Sequence, residues 1–268
     1  MAKQRGIFKA EGTLDEVTFY KSKDGFMLRQ KGGVSAERMA TDPAFERTRE
    51  NQKEFARAGR AGKVLRTALR PVLKSTSDRL MVSRLFKEMM RVVKVDGVSD
   101  RGQRNVLDGE LELLEGFEFN EGGHLSQTLF AGYTASIDRV TGVLTLDVPA
   151  FLPQQMVVAP AEATHYQLVS AGGFIDFSAG SNGITTNATE VIPIRSDASA
   201  AVSHSFNAGA NTTHALFLVL GISFLQQVNG KNFLPSRDSL IALCVSYGLG
   251  GVIYYDRYNF TYISYFIS

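Results

Sequence analysis

The chain has 268 residues, of which 44% are hydrophobic and 21% are charged, a composition typical of a folded protein. Its single cysteine, Cys244, excludes an intramolecular disulfide, and the four histidines offer little material for a structural zinc site. The first residues lack the apolar core of a secretory signal, and no run of about 18 uncharged apolar residues could span a bilayer. We therefore expect a cytoplasmic protein by default, with export by another route left open.

The net charge of +2 conceals an opposition between two parts of the chain. Residues 1–105 carry 24 Lys/Arg and 13 Asp/Glu, a net charge of +11, whereas residues 106–268 carry 5 and 14, a net charge of −9. Such asymmetry indicates a segment that faces a polyanion or a partner, joined to an acidic one. We accordingly divide the chain into a basic domain (1–105), a junction (106–116), an acidic domain (117–251) and a tail (252–268).

Residues 7–33 predict a β-hairpin or a three-stranded antiparallel meander. The β-forming residues Val17, Phe19 and Tyr20 precede Asp24-Gly25, a pair that is favoured in tight hairpin turns, and Phe26 and Leu28 follow it.

A helix is predicted from Thr41-Asp42-Pro43 to about Leu69, because Asp42 can cap it, proline suits the first turn, and Pro71 ends or kinks it. On a helical wheel the cations occupy one half of the circumference, and small or apolar residues occupy the other. We call these cations the basic face and predict that they bind a partner or nucleic acid: Arg57, Arg60, Lys63, Arg66, Arg70 and Lys74. The glycines in this helix suggest a packing reason, because each costs roughly 1 kcal/mol relative to alanine.

A second amphipathic helix is predicted after Ser75 and Asp78, with its end at Asp96-Gly97. Two such helices joined by a short link should form an antiparallel helical hairpin with their apolar faces together.

From Phe117 onward the periodicity changes to that of short β-strands. Residues 135–148 alternate about Thr141-Gly142, and Asn229-Gly230 is the strongest hairpin turn in the chain. Seven or more strands without intervening helices predict an antiparallel, immunoglobulin-like β-sandwich. The predicted fold class is therefore α+β, with an N-terminal β-hairpin and a basic helical hairpin followed by the sandwich.

The tail is an aromatic, β-prone segment that could complete the sandwich, insert into a neighbouring subunit, or be a non-native extension. We assign a role in assembly to its aromatic residues: Tyr254, Tyr255, Tyr258, Phe260, Tyr262, Tyr265 and Phe266.

No catalytic constellation is evident, so we assign no catalytic residue, cofactor, metal or small-molecule substrate. The histidines at positions 124, 165, 204 and 214 lack metal-ligand spacing, and Cys244 lies in an apolar strand that favours a buried thiol. The glutamates between positions 110 and 121 could form an acidic face. The glycine clusters at 172–173 and 248–251 lack a Walker lysine.

Three stretches, GTLDEVTFYKSKDGFMLRQKGGVSAERM, DPAFERTRENQKEF and FLQQVNGKNF, resemble a family of uncharacterised bacterial proteins of about 250 residues. The resemblance runs from residue 1 to about residue 247. The opening hairpin also resembles that of broader groups of bacterial proteins, and Tyr20, Gly25 and Arg29 are the positions of this chain that match their hairpin. The resemblance implies no enzyme activity and no catalytic residue.

The charge polarity favours a non-enzymatic structural or interaction protein. It would self-assemble as a homo-oligomer, in a ring or a filament, or bind a protein partner through oppositely charged surfaces. The alternative is a nucleic-acid-associated protein that grips the phosphate backbone with its basic face. A third class, an enzyme using acidic residues near 110–121, has less support in the sequence.

Overall fold

The computed structural model describes residues 2–30, 33–76, 78–229, 231–233, 239–246 and 252–256, with the backbone alone for 75–76, 232–233, 239–246 and 252–256. The chain divides into two compact units, residues 1–50 and 51–268. This division does not coincide with the boundary that the charge asymmetry suggests between residues 105 and 117.

The first unit contains a four-stranded antiparallel sheet with the order β1-β4-β3-β2. Its strands are β1 (Ala2–Lys3), β2 (Gly12–Leu14), β3 (Val17–Ser22) and β4 (Gly25–Gln30). The predicted hairpin, β3–β4, is confirmed, although its two turn residues are Lys23 and Asp24, one position earlier than expected. Arg29 lies over the ring of Tyr20, with 5.6 Å between the guanidinium carbon and the ring centroid.

The predicted long helix is confirmed, and a short helix that the sequence analysis missed precedes it. The elements are α1 (Ala36–Thr41), a 3₁₀ turn (Pro43–Phe45) and α2 (Glu46–Ala68). The Asp42 carboxylate accepts the N–H of Ala44 at 2.9 Å, so it caps the 3₁₀ turn that leads into α2.

Pro71 interrupts the helix as predicted, because α2 ends at Ala68 and α3 (Arg70–Thr76) begins directly before the proline. The second predicted helix is α4 (Met81–Lys94). Asp78 accepts the N–H of Leu80 at 2.6 Å, which organises the start of α4. Helices α2 and α4 contact each other through the rings of Phe55 and Phe86, whose centroids are 5.3 Å apart.

The β-strands of the second unit confirm the predicted strand-rich half. A 3₁₀ helix (Leu111–Leu114) and two short helices, α5 (Leu125–Thr128) and α6 (Pro153–Met156), accompany them. The strands are β5 (Thr134–Asp138), β6 (Val143–Val148), β7 (His165–Asp176), β8 (Ser181–Asn182), β9 (Thr185–Ala188), β10 (Ile192–Pro193), β11 (Val202–Asn207), β12 (Ala215–Val228), β13 (Lys231–Phe233), β14 (Ser239–Ser246) and β15 (Val252–Asp256).

Strand β12 is the central strand of the unit, because it pairs with β7 on one side and with β14 on the other. Its side chains alternate between two hydrophobic cores. Ala215, Phe217 and Val219 join the core that contains α2, α3 and α4, whereas Leu216 and Leu218 join the core that contains β5, β6 and β11. Both faces of the central sheet are therefore covered.

The second unit is thus built of three layers: helices, the β7–β12 sheet, and a sheet with the order β11-β6-β5-β15. Every described strand pair is antiparallel, so the predicted α+β class is confirmed. The immunoglobulin-like arrangement is not confirmed. The expectation of a free-standing sandwich missed the helical layer, which lies on the outer face of one of its sheets.

The tail begins with β15, which pairs with β5 of the same chain along residues 252–256. Its first five residues therefore extend the outer sheet, as in the first of the three predicted roles. The rest of the tail, with Tyr258, Phe260, Tyr262, Tyr265 and Phe266, lies outside the described residues. So do the side chains of Tyr254 and Tyr255 and the thiol of Cys244, whose predicted burial stays a prediction. Among the described residues, no helix is both long and apolar enough to cross a membrane.

We predict that Gly173→Ala destabilises the second unit. Gly173 lies in β7 with a φ of +146°, and a Cβ there would sit 2.1 Å from the carbonyl oxygen of Gly183. We expect a loss of about 2–4 kcal/mol in the free energy of unfolding, measured by urea denaturation.

The matched control is Gly59→Ala in α2, where the added Cβ would lie 3.7 Å from Phe86, an ordinary contact. This control should be neutral or raise stability by up to about 1 kcal/mol. Equal unfolding midpoints for Gly173→Ala and the wild type would contradict the prediction.

Candidate anion-binding surface

Helix α2 presents two opposite faces, as the helical wheel predicts. Its buried side is formed by small and aliphatic residues that pack in the helical core: Ala58, Ala61, Gly62, Leu65 and Ala68. Phe55, assigned to the same half, is 53% exposed, because it lies at the margin of that core. The opposite side of α2 carries the first four cations of the basic face, and the last two, Arg70 and Lys74, lie on α3.

Four members of the basic face are exposed: Arg60, Lys63, Arg70 and Lys74. None of the four forms an ion pair with a described acidic residue. Because no acid of the described chain neutralises them, their charge is available to an external anion.

Arg57 differs from the four exposed cations because hydrogen bonds tie it to another part of the chain. Its guanidinium donates to the carbonyl oxygen of Gly102 at 2.6 Å and to the side-chain oxygen of Gln103 at 2.6 Å. One turn earlier, the buried Glu54 carboxylate accepts the N–H of Gly102 at 2.8 Å. Arg57 and Glu54 together clamp the loop that follows α4, so Arg57 supports the fold more directly than it supports binding.

The same loop is fixed from inside by Asp96, whose carboxylate is buried. It accepts the N–H groups of Val98, Ser99 and Asn105 at 2.9–3.0 Å. Burial opposes ionisation of this carboxyl, but the three donors outweigh it and hold its pKa below the ordinary value. The loop beside the N-terminal part of α2 is therefore rigid.

The break at Pro71 creates a cavity of about 280 Å³ on the basic face. Arg66, Arg70 and Lys74 line it together with Thr67, and Leu73 and Met81 contribute apolar walls. Arg66 is held in place because its Nε donates to the carbonyl oxygen of Gly62 at 3.2 Å. Among the residues that the structure describes, no acidic side chain lines this cavity.

A second cavity, of about 260 Å³, lies between α2 and α4 and shares Arg66 with the first. Its lining is largely apolar and includes Gly59, Gly62, Val82 and Phe86. A Cβ built at Gly62 would lie 3.8 Å from Met89, so alanine would fit. Close helix packing therefore does not require glycine at this position, and Gly59 and Gly62 line the cavity without placing a side chain in it.

The acidic residues between positions 110 and 121 do not form the single exposed face that the sequence allows. Glu110 is exposed, whereas the side chain of Glu118 is 10% exposed and turns inward. Glu121 is 61% exposed and lies 3.7 Å from Nε of Arg84. Arg84 also pairs with Asp78 and donates to the carbonyl oxygen of Glu118 at 2.7 Å, so it ties this segment to α4.

Glu118 lines a cavity of about 500 Å³ with Glu88, Arg91 and His124, whose Nδ1 is 3.8 Å from the Glu118 carboxylate. Burial raises the pKa of Glu118 to about 7. One carboxylate oxygen accepts the N–H of Leu125 at 3.0 Å, and the other is buried without a hydrogen-bond partner. Because the hydrogen-bonded oxygen binds the first residue of α5, Glu118 caps that short helix.

The other histidines make separate local contacts. His204 shares a hydrogen bond of 2.6 Å with Ser170 on the neighbouring β7, and burial lowers its pKa. His214 stacks on Phe174, and His165 contacts Thr164. In the part of the chain that the structure describes, no three His, Cys, Asp or Glu side chains come together as a metal site would require.

No protein-family model, curated protein or solved structure matches the chain. The candidate site is therefore defined by its own geometry, and the resemblance to a bacterial family stays a prediction.

The basic face is visible in the sequence, whereas its two cavities appear only in the folded structure. The signal for the first was present in Pro71, because a helix break between Arg66 and Lys74 opens space among neighbouring cations. The inward Glu118 had a weaker signal, its position between Phe117 and Phe119.

We predict that Glu118→Gln flattens the dependence of stability on pH. The folded-state pKa of Glu118, about 7, exceeds its ordinary value of 4.5, so its favourable contribution is complete below pH 4.5 and is lost as the pH rises through 7. The variant should gain up to about 3 kcal/mol over the wild type at pH 8, measured by urea unfolding from pH 5 to 8.

Glu121→Gln, an exposed change in the same segment, is the matched control and should leave the pH profile close to that of the wild type. A wild-type stability that does not fall between pH 5 and 8 would contradict the assignment.

Proposed function

We propose that this chain is a non-enzymatic interaction protein that self-associates head to tail. The basic face of one copy binds the acidic segment of another, which we define as residues 108–121 and which presents the exposed carboxylates of Asp108, Glu110 and Glu121. A contact between two different surfaces leaves a free acidic segment on one copy and a free basic face on the other, so further copies can add until a ring closes or a filament grows.

The observation that carries the proposal is that the basic face is not neutralised, although it belongs to a unit whose two parts have net charges of opposite sign. In the second unit, residues 51–105 carry 14 Lys/Arg and 5 Asp/Glu, a net +9, and residues 106–268 carry 5 and 14, a net −9. Such a unit has no net charge as a whole, but its positive and negative charges are separated along the chain. Opposite-signed surfaces steer two copies into contact and fix their mutual orientation.

The helical layer separates the two surfaces. Helix α4 contacts α2 through Phe86 on one flank and contacts the acidic segment through Arg84 on the other. Because α4 lies between them, the basic face and the acidic segment of one copy do not neutralise each other at contact distance. A separate acidic protein could bind the same basic face. Nucleic acid is the second candidate ligand of that face.

We predict that Arg60→Glu/Lys63→Glu abolishes self-association. Both side chains are exposed and free of ion pairs with described acids, so the fold should tolerate the change. Sedimentation velocity should show concentration-dependent oligomers of the wild type at about 50 mM NaCl that dissociate at about 300 mM, because salt screens exposed charges. The double variant should remain monomeric, whereas Lys23→Glu, an exposed change in the first unit, should behave as the wild type.

A charge-swap experiment identifies the opposing surface. Glu110→Lys places a cation on the acidic segment, and this variant alone should associate at least tenfold more weakly than the wild type. Combined in one chain with Arg60→Glu/Lys63→Glu, it should restore self-association, because every contact must then use the reversed charges, which again complement each other. A wild-type protein that stays monomeric at low salt, even at millimolar protein concentration, would overturn the proposal.

The same preparations test the nucleic-acid alternative. Binding to duplex DNA would favour that alternative over self-association if Arg60→Glu/Lys63→Glu abolishes it. The logarithm of the binding constant should then fall by about 0.9 per log unit of salt for each phosphate contacted. An ultraviolet absorbance ratio typical of pure protein, with no shift of a labelled duplex, would remove it.

A further inference from the structure

The cavity at the α2–α3 break concentrates positive charge, and no acid of the described part of the chain lines it. Arg66, Arg70 and Lys74 follow one another at four-residue spacing, so they lie on the same side of the broken helix and line one space of about 280 Å³. Like charges at this spacing repel each other, and neither Arg70 nor Lys74 has an ion-pair partner among the described residues. An anion in the cavity would relieve that repulsion.

The geometry points to a phosphate group as the anion. A phosphate monoester carries a charge of about −1.5 to −2 at neutral pH and three acceptor oxygens, which match three converging cations better than the single charge of a carboxylate. Arginine guanidinium groups bind phosphate through paired N–H donors. Since Nε of Arg66 is already bound to Gly62, that side chain is pre-oriented with its two terminal nitrogens left to donate.

The adjoining cavity gives the ligand a second part. It shares Arg66 with the first cavity, and its floor and walls are Gly59, Gly62, Val82 and Phe86. Its volume of about 260 Å³ exceeds the roughly 150 Å³ that suffices for benzene in an apolar protein cavity. A group attached to the phosphate can therefore leave water by entering the space that the glycines keep open.

We propose that the two cavities together bind a phosphate ester of an apolar group, with the phosphate on Arg66, Arg70 and Lys74 and the apolar group over Gly59 and Gly62. The inference rests on the proposed function in that both use the basic face. It also goes further, because a bound ester would occupy the face and compete with the acidic segment of another copy.

The test is isothermal titration calorimetry of the full chain with inorganic phosphate, phenyl phosphate and benzoate at constant ionic strength. The protein concentration is one at which sedimentation shows only monomers. Phenyl phosphate should bind at least tenfold more tightly than inorganic phosphate, and benzoate at least tenfold more weakly than phenyl phosphate. Arg70→Gln should weaken both phosphate probes at least tenfold. Lys63→Gln, an equally exposed and unpaired cation outside the cavity, should change them less than twofold.

Gly62→Ala separates the apolar part from the phosphate part. The added methyl group fits the fold at ordinary contact distances but raises the floor of the second cavity. It should remove the advantage of phenyl phosphate and leave the affinity for inorganic phosphate unchanged. A comparison of dihexanoyl phosphatidic acid with phenyl phosphate then decides whether an acyl chain or an aromatic ring is the better occupant.

Equal losses in Arg70→Gln and Lys63→Gln would overturn the inference, because they would indicate a diffuse field instead of a site. So would binding of benzoate as tight as that of phenyl phosphate. Phosphate binding that depends on Arg70 in a protein that never self-associates would overturn the proposed function alone. Self-association without phosphate binding would overturn only the present inference.

Discussion

The structure of the second unit depends on the burial of β12 on both faces. Phe217 and Val219 point toward the helices, while Leu216 and Leu218 point toward the outer sheet, so one strand supports two hydrophobic cores. Burial of large apolar side chains is the main favourable contribution to folding. Because β12 contributes to both cores, the helical layer that carries the basic face is anchored to the same strand as the outer sheet. The cations of that face are thereby held on a rigid support.

Local patterns were sufficient to predict the longer elements but neither the short helices nor the assembly of the fold. Helical periodicity identified α2 and α4, and alternation identified β5 and β6, since these signals arise from neighbouring residues. The pattern of an amphipathic helix indicates that its apolar side is buried, but it does not indicate which element covers that side. The relevant sign was in β12, where the run from Ala215 to Leu220 lacks polar alternation, which indicates burial on both faces. The sequence analysis treated that run as one strand of a free sandwich, and so it missed the helical cover.

The candidate site follows the same division between local and distant information. Exposure of Arg60, Lys63, Arg70 and Lys74 was predictable from the helical wheel, because those side chains contact little beyond their own helix. Arg57 was not, because its partners, Gly102 and Gln103, lie more than 40 residues away in the chain. The two cavities also depend on distance: α4 must lie against α2 before Gly59 and Gly62 can floor a groove. The proposed binding of a phosphate ester thus arises from tertiary packing, whereas the proposed self-association needs only the charge pattern.

The order of the layers along the chain has a consequence for synthesis on the ribosome. Helices α2, α3 and α4 are complete at Lys94, but β12, which covers their apolar side, ends only at Val228. At roughly 5–20 residues per second, translation of the intervening stretch takes on the order of ten seconds. During that interval the nascent helices have no sheet to cover them. The apolar side of these helices therefore stays exposed to water until β12 has been synthesised.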